Sequence, residues 1–346
     1  MLTTEPVDRI SGFADEIADD LDDQLDVLDA EGIDRLDLRN VWGERVLDLS
    51  EERLADLEDT LDERGFTVTS IGSPVGKIGI VEPFDPHLDR LDRALERADR
   101  FDTEYVRVFS YYIPEGEDPA NHREEVLRRT RAAVERAERA DKTLPLENEK
   151  DIYGDTPGRV RDLLTTVDSP HLQAVFDPAN YLEIGVRPYP DALLQVVEYV
   201  EAVHVKDAEF GERGGIEPAG EGDGRIPETL ATLHAPGFDG ALSLEPQLSF
   251  AGSNYGYSGP EGFRTAAQAL REVLEEADAS DEQRRCRKWE RSSGTVGRQT
   301  RFTPTKPSPA CLVHADSVGW TRSRTTRPRR TSTGTKSSPA ATNGDW

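Results

Sequence analysis

Thiol chemistry is almost missing from this sequence: its two cysteines, Cys286 and Cys311, both lie beyond position 280. A disulfide framework, a thiolate metal site and a cysteine nucleophile are therefore excluded from the preceding residues. Long apolar runs are missing as well. Nowhere do about 18 consecutive apolar residues occur, so no membrane-spanning helix is expected. The N-terminus has no basic stretch leading into an apolar one, so no export signal is read and the expected location is the cytoplasm. Positive charge is scarce before position 281, where 28 basic residues face 63 acidic ones. A body with that imbalance repels nucleic-acid backbones and anionic lipid, so neither is expected as a partner. The excess is mostly Asp, and Arg far outnumbers Lys, a composition that reads as halophilic. Runs such as Asp19-Asp20-Leu21-Asp22-Asp23 are solvated helix faces and carry no function.

What is present is alternation. Eight short β-prone runs stand at Ile10–Phe13, Arg35–Arg39, Thr67–Gly72, Tyr105–Ser110, Thr143–Asn148, Leu172–Asp177, Ala202–Lys206 and Ala241–Glu245. Their starts are spaced like strand, helix and two loops in a parallel β/α unit. Between them, apolar residues recur at helical spacing, as in Leu21, Leu25, Leu28 and again Leu54, Leu57, Leu61. A helix is expected over Asp20–Glu31, and a closing one over Glu261–Ala277 with Phe263, Ala267, Leu270 and Leu274 on one side. Alternation suits an open doubly wound sheet too, but eight units favour a closed (β/α)8 barrel over residues 1–280. Residues 281–346 turn abruptly to Arg, Ser, Thr and Pro without apolar period, so this tail is expected to be disordered. Its break in composition fits a frame-shifted extension better than a nucleic-acid-binding arm. Cys286, Cys311 and His314 lack the paired spacing of a zinc module.

In a parallel barrel the chemistry sits where strands end. Strands five to eight end on Glu147 (LPLENE), Asp177 (VFDPAN), His204 with Lys206 (VHVKD) and Glu245 (LSLEP). Each alone has an ordinary explanation, a helix cap for a carboxylate or a structural role for a histidine. Four in succession at the ends of buried runs do not, because a buried charge needs a partner or a metal. Three carboxylates and one imidazole form a mixed oxygen and nitrogen shell suited to Mn2+, Mg2+, Co2+ or Zn2+.

These stretches, with LENEKDIYGDTP at Leu146–Pro157, VFDPANY at Val175–Tyr181 and PAGEGDG at Pro218–Gly224, resemble the xylose-isomerase-like TIM barrels, in particular the sugar phosphate isomerase/epimerase family. The resemblance covers about residues 8–277. It implies a TIM barrel, metal ligation by Glu147, Asp177, His204 and Glu245, and proton transfer next to a carbonyl through an ene-diolate. Glu147 and Glu245 would be the catalytic acids and bases, acting on a small sugar or polyol. Many epimerases of this kind carry a His three residues after the Asp ligand; here Asn180 stands there, which leaves a dehydratase variant open. An abasic-site nuclease is opposed by the acidic body and by histidines limited to His87, His122, His171, His204 and His234 before position 281. A catalytically idle scaffold barrel is opposed by the presence of all four ligands.

Substrate contacts are expected from Asn180, Lys206, Arg39, Arg107 and Glu221. Lys206 lies two residues from His204, hence on the same side of its strand, where a salt bridge is an equal alternative. Arg39 and Arg107 could hold an anionic group or simply balance charge. Glu16 could be a pocket residue, with helix entry the favoured role, and Tyr111 and Tyr112 could form an apolar wall against a sugar face. The Gly72–Lys77 loop is one residue short of a Walker spacing and lacks its Ser/Thr, so it is no nucleotide site but could reach the pocket.

Overall fold

The computed structural model describes residues 9–211, 215–234, 237–248 and 258–293, the last sixteen of these as backbone alone. Its contacts divide the chain into one unit of Met1–Asp281 and a second of Glu282–Trp346. The first unit is a barrel of eight parallel staves. Seven are regular strands: Ile10–Gly12, Arg35–Leu38, Thr67–Ile71, Leu144–Glu147, Leu172–Phe176, Val200–Val205 and Ala241–Leu244. Ladders join the fifth to the sixth, seventh, eighth and first staves in turn, and a separate ladder joins the second to the third.

The fourth stave, expected as a full strand over Tyr105–Ser110, is instead held by single bridges on both sides. Val106 pairs with Ile71, while Tyr105 and Val108 pair with Thr143 and Leu146. The physical reason is in its neighbour. Val106 N–H donates to Thr143 O and Val108 N–H to Pro145 O, but Pro145 has no N–H to return, so the ladder breaks there.

No ladder joins the first stave to the second, and a buried carboxylate closes that seam. Asp37 Oδ2 accepts from Ser11 Oγ at 2.8 Å, and its Oδ1 accepts from Ser70 Oγ at 2.6 Å, tying staves one, two and three. Asp37→Ala should leave two buried hydroxyls without their acceptor and cost about 3 kcal/mol. Urea unfolding at high salt measures this, and an unchanged midpoint would show that the seam does not depend on Asp37.

The helices follow their sequence signals. Leu21–Ala30 begins where the Asp20 side chain accepts from Asp22 N–H, and it buries Leu21, Leu25 and Leu28. Glu51–Arg64 starts on Ser50, buries Leu54, Leu57 and Leu61, and stops at Gly65, whose φ of 76° suits glycine. The closing helix buries Phe263, Ala267, Leu270 and Leu274, with the Phe263 ring set so tightly on Gly12 that a Cβ there would lie 2.5 Å from it.

The backbone of that helix spans Gly259–Ser293 and so continues past position 280. Between Gly262 and Gly294 the sequence has neither Gly nor Pro to stop it, and Ala, Glu, Gln, Arg and Lys favour continuation. The expected disorder otherwise falls on residues 294–346, outside the described residues. Among the described residues no helix is long and apolar enough to cross a membrane.

Candidate metal centre

Staves five to eight each deliver one ionisable group at their carboxyl ends. Glu147 closes the fifth stave, Asp177 follows the sixth, His204 lies near the end of the seventh, and Glu245 follows the eighth. All four are buried, and each offers a ligand atom within 4.8 Å of the others. His204 Nδ1 stands 3.4 Å from Glu147 Oε2 and 3.6 Å from Glu245 Oε2.

The decisive feature is what these atoms lack. Asp177 Oδ2, His204 Nδ1 and Glu245 Oε2 are fully buried and accept or donate no aligned hydrogen bond. Lys206 Nζ approaches Asp177 Oδ2 to 2.9 Å and Glu245 Oε2 to 3.6 Å without that alignment. Buried polar atoms are rarely left so, and three converging on one point form a set able to hold a divalent ion.

Neighbouring groups hold these four side chains in place. The Asn148 side chain accepts from Asp177 N–H and donates to Asp177 O, both at 2.9 Å, locking the sixth stave end to the fifth. Asp177 Oδ1 caps the short helix Pro178–Glu183 by accepting from Asn180 N–H, which turns its Oδ2 inward. The Asn180 amide donates to Glu147 Oε1 at 3.2 Å. Arg107 donates to Glu147 Oε2 at 2.6 Å. On the other flank Arg39 donates to Glu245 at 2.6 Å, Asp15 at 2.7 Å and Glu16 at 3.0 Å. The Phe13 ring meets His204 edge-on, centroids 5.0 Å apart.

Electrostatics sort the group. Burial alone would raise Glu147, but His204 and Arg107 overcome it and bring its pKa to about 2. Glu245 is likewise held well below the ordinary range against its burial, by Lys206, His204 and Arg39. Burial lifts Asp177 to about 7 despite Lys206. It works to lower His204, yet Glu147 and Glu245 carry that imidazole up to about 9. The four groups thus form a cage of charges neutralised by neighbours and a retained proton, which a bound cation would displace.

A family model described as the xylose isomerase-like TIM barrel matches residues 25–273. The chain belongs to the xylose isomerase-like TIM-barrel family. Among solved structures, this xylose isomerase-like barrel overlays the IOLI protein with a bound zinc atom at TM-score 0.64 and 14% identity, covering 78% of this chain and 99% of that one. The probable 3-DHS dehydratase AsbF of Bacillus anthracis gives 0.62 and 17%, with 76% and 98% covered. A D-tagatose 3-epimerase-like protein gives 0.63 and 19%, with 79% and 99% covered. At such identities the likeness is one of fold. No curated protein matches the sequence of this xylose isomerase-like barrel.

Glu147 and Glu245 of this quartet line a cavity of about 210 Å3 at the carboxyl ends of the staves, which Gly72, Pro74 and Lys77 line as well. Of the residues expected to meet substrate, Arg39, Arg107 and Lys206 line it. Glu221 does not. It is exposed in the loop after the seventh stave, and that loop is organised by Asp207, which the sequence reading had not singled out. The Asp207 carboxylate is buried and accepts from the N–H groups of Ala208, Gly220, Gly222 and Gly224 at 2.7 to 3.3 Å. A Cβ at Gly224 would sit 2.5 Å from its Oδ1. Asp207→Ala should cost about 3 kcal/mol and speed amide exchange across 218–224. Unchanged protection in that loop would remove the organising role.

Three further expectations change. Glu16 does not enter the first helix, which Asp20 caps; it is buried on Arg39, accepts from Ser258 Oγ at 3.1 Å, and burial raises its pKa to about 7. Tyr111 is core, stacked edge-on against Phe84, and Tyr112 is partly exposed outside the cavity. The aromatic face in the cavity is Phe109, with Arg107 and Lys77 over its ring at 4.5 and 4.2 Å.

Proposed function

We propose that this protein is a divalent-metal-dependent isomerase or epimerase of a small sugar or polyol, moving a proton on a carbon next to a carbonyl. The observation that carries the reading is the pair Glu147 and Glu245, both held ionised, which line the cavity and are grouped with the unsatisfied Asp177 and His204 atoms. Those four residues would hold Mn2+, Mg2+, Co2+ or Zn2+. The ion would supply charge stabilisation for the ene-diolate that proton removal leaves.

The remaining chemistry belongs to the chain. One glutamate takes the α-proton and the other returns it; return to the opposite face epimerises, while return to the neighbouring carbon, with the hydroxyl proton passing to the former carbonyl oxygen, isomerises. Arg107 and Asn180 fix the orientation of Glu147, and Arg39 fixes that of Glu245, so neither carboxylate has to reorganise. Lys206 lies where an ammonium can meet a substrate oxygen. The acidic surplus of the barrel supports a setting in a salt-rich cytoplasm.

A second reading, a dehydratase, is favoured by one observation. Asn180 bonds Glu147 and Asn148 O and can move no proton, while Lys206 beside Glu245 could protonate a departing hydroxyl. Solvent-deuterium uptake with a panel of ketoses and cyclitol ketones separates the two. Deuterium at an α-carbon with otherwise unchanged mass is the expected result; loss of water identifies the dehydratase. Bound metal with neither outcome on any candidate would defeat both.

A further inference from the structure

A buried histidine that the proposed chemistry does not use holds one wall of the cavity. After Ile71 the chain of the third stave continues through residues 72–78 alongside the extension of the fourth. Phe109 N–H donates to Val75 O at 2.7 Å, and the N–H groups of Tyr111 and Tyr112 donate to Gly76 O and Ile78 O, both at 2.9 Å. Ser73 Oγ donates to Arg107 O at 2.5 Å. Gly76 is the tightest point: its φ is 92°, and a Cβ there would lie 2.0 Å from Phe109 O. The loop backbone thus rests on the same residues, 107–109, that carry two of the cavity-lining side chains, Arg107 and Phe109.

The buried Gly76 N–H donates to His87 Nε2. His87 stands on the helix Asp85–Arg100, is buried, and does not itself line the cavity. A ring nitrogen that accepts carries no proton, so the bond needs a neutral imidazole. Burial first, then the charges of Arg90 and Arg129 acting against Glu82, lower the His87 pKa to about 4 and keep the ring neutral at ordinary pH. The segment leading into that helix takes a second loop amide, Gly79 N–H on Glu82 Oε1 at 3.0 Å. Between these two anchors stands Lys77, which lines the cavity, with its ammonium 4.2 Å from the Phe109 ring centroid and donating to Glu149 Oε2 at 3.0 Å.

We propose that His87 is a positioning residue of the candidate site: by accepting from Gly76 N–H it seats Lys77 against Phe109 and Glu149, and so sets the shape of that cavity wall for the substrate. Lys77 and Glu149 are a partly exposed pair, and such a pair fixes a flexible side chain only weakly. A buried amide that loses its acceptor has no water to replace it, so the loop must move to solvate it. The stronger anchor is therefore the imidazole behind the wall, and displacement of the loop carries Lys77 off the ring. The consequence for turnover rests on the sugar-site reading above; the seating of Lys77 does not.

The test uses the full chain with its lysines reductively methylated by isotope-labelled formaldehyde, which preserves their charge, and reads them by nuclear magnetic resonance. The Lys77 methyl resonance, assigned with Lys77→Arg, should be shifted upfield by the Phe109 ring, and Phe109→Leu should abolish the shift. His87→Leu should move the resonance to the position of exposed lysines, and His87→Gln, whose amide oxygen can stand where Nε2 stands, should restore most of the shift. If His87→Leu does not fold by circular dichroism, His87→Asn, too short to reach Gly76, takes its place. In the metal-loaded chain, His87→Leu should raise KM for the exchanging ketose about tenfold and change kcat by less than about twofold, with His87→Gln near the unmutated values. A folded His87→Leu or His87→Asn chain with the Lys77 resonance unmoved overturns the inference, as does a moved resonance with KM unchanged. Absence of α-proton exchange with any ketose in the unmutated chain defeats the proposed function instead, and the Lys77 resonance then decides the seating on its own.

Discussion

Glu147→Gln and Glu245→Gln are each expected to lower α-proton exchange by about three orders of magnitude, the scale on which a positioned acid or base contributes. The two carboxylates are the flanking members of the buried quartet, and their neighbours keep them ionised: Arg107 and His204 at Glu147, Lys206 and Arg39 at Glu245. A Gln side chain preserves shape but can neither take nor return a proton. Metal content measured alongside separates lost chemistry from a lost ligand. Arg107→Gln should act through Glu147 alone, shifting the acidic limb of the pH profile upward, because its guanidinium helps hold that carboxyl low. Exchange surviving in both glutamate variants at the rate of the unmutated chain would remove them from the mechanism.

Loading the centre with a divalent ion is expected to stabilise the barrel by about 2.7 kcal/mol when free metal stands at a hundred times its Kd. It should also release protons. Burial sets Asp177 near 7, and Glu147 and Glu245 hold His204 near 9, so at neutral pH the metal-free centre retains a proton on His204 and part of one on Asp177. Both folded-state values are raised, so protons compete most strongly at low pH. Metal affinity should therefore climb as pH rises through 7 and level off above about 9. Calorimetry in buffers of different ionisation enthalpy counts the protons directly. His204→Ala should abolish both the proton release near pH 8 and most of the stabilisation. Metal uptake without proton release would mean that the ion binds elsewhere.

Much of the barrel was legible in order along the chain. Alternating β-prone and helical segments depend on side-chain periodicity within a few residues, and seven of eight expected strands correspond to regular staves. The broken fourth stave was not legible from its own residues, because Pro145 on the neighbouring stave interrupts it. The quartet was legible as well. A polar residue ending a buried apolar run is a local anomaly, and the parallel topology carries four such ends to one face.

What only the tertiary structure decided is which partner each side chain keeps. Arg39 could not be assigned to Glu245 from the sequence, since 206 positions separate them. Asn148 could not be seen to clamp Asp177 across 29, nor Asp207 to gather the N–H groups of a glycine loop as far as 17 positions on. The same holds for Glu221, exposed although its motif pointed to the pocket, and for Arg45, an ordinary surface arginine until the fold set it in the cavity wall. Periodicity determines which face of an element is buried, because burial is repaid residue by residue along that element. Charge pairing is determined by distance in space, which the closed barrel alone sets.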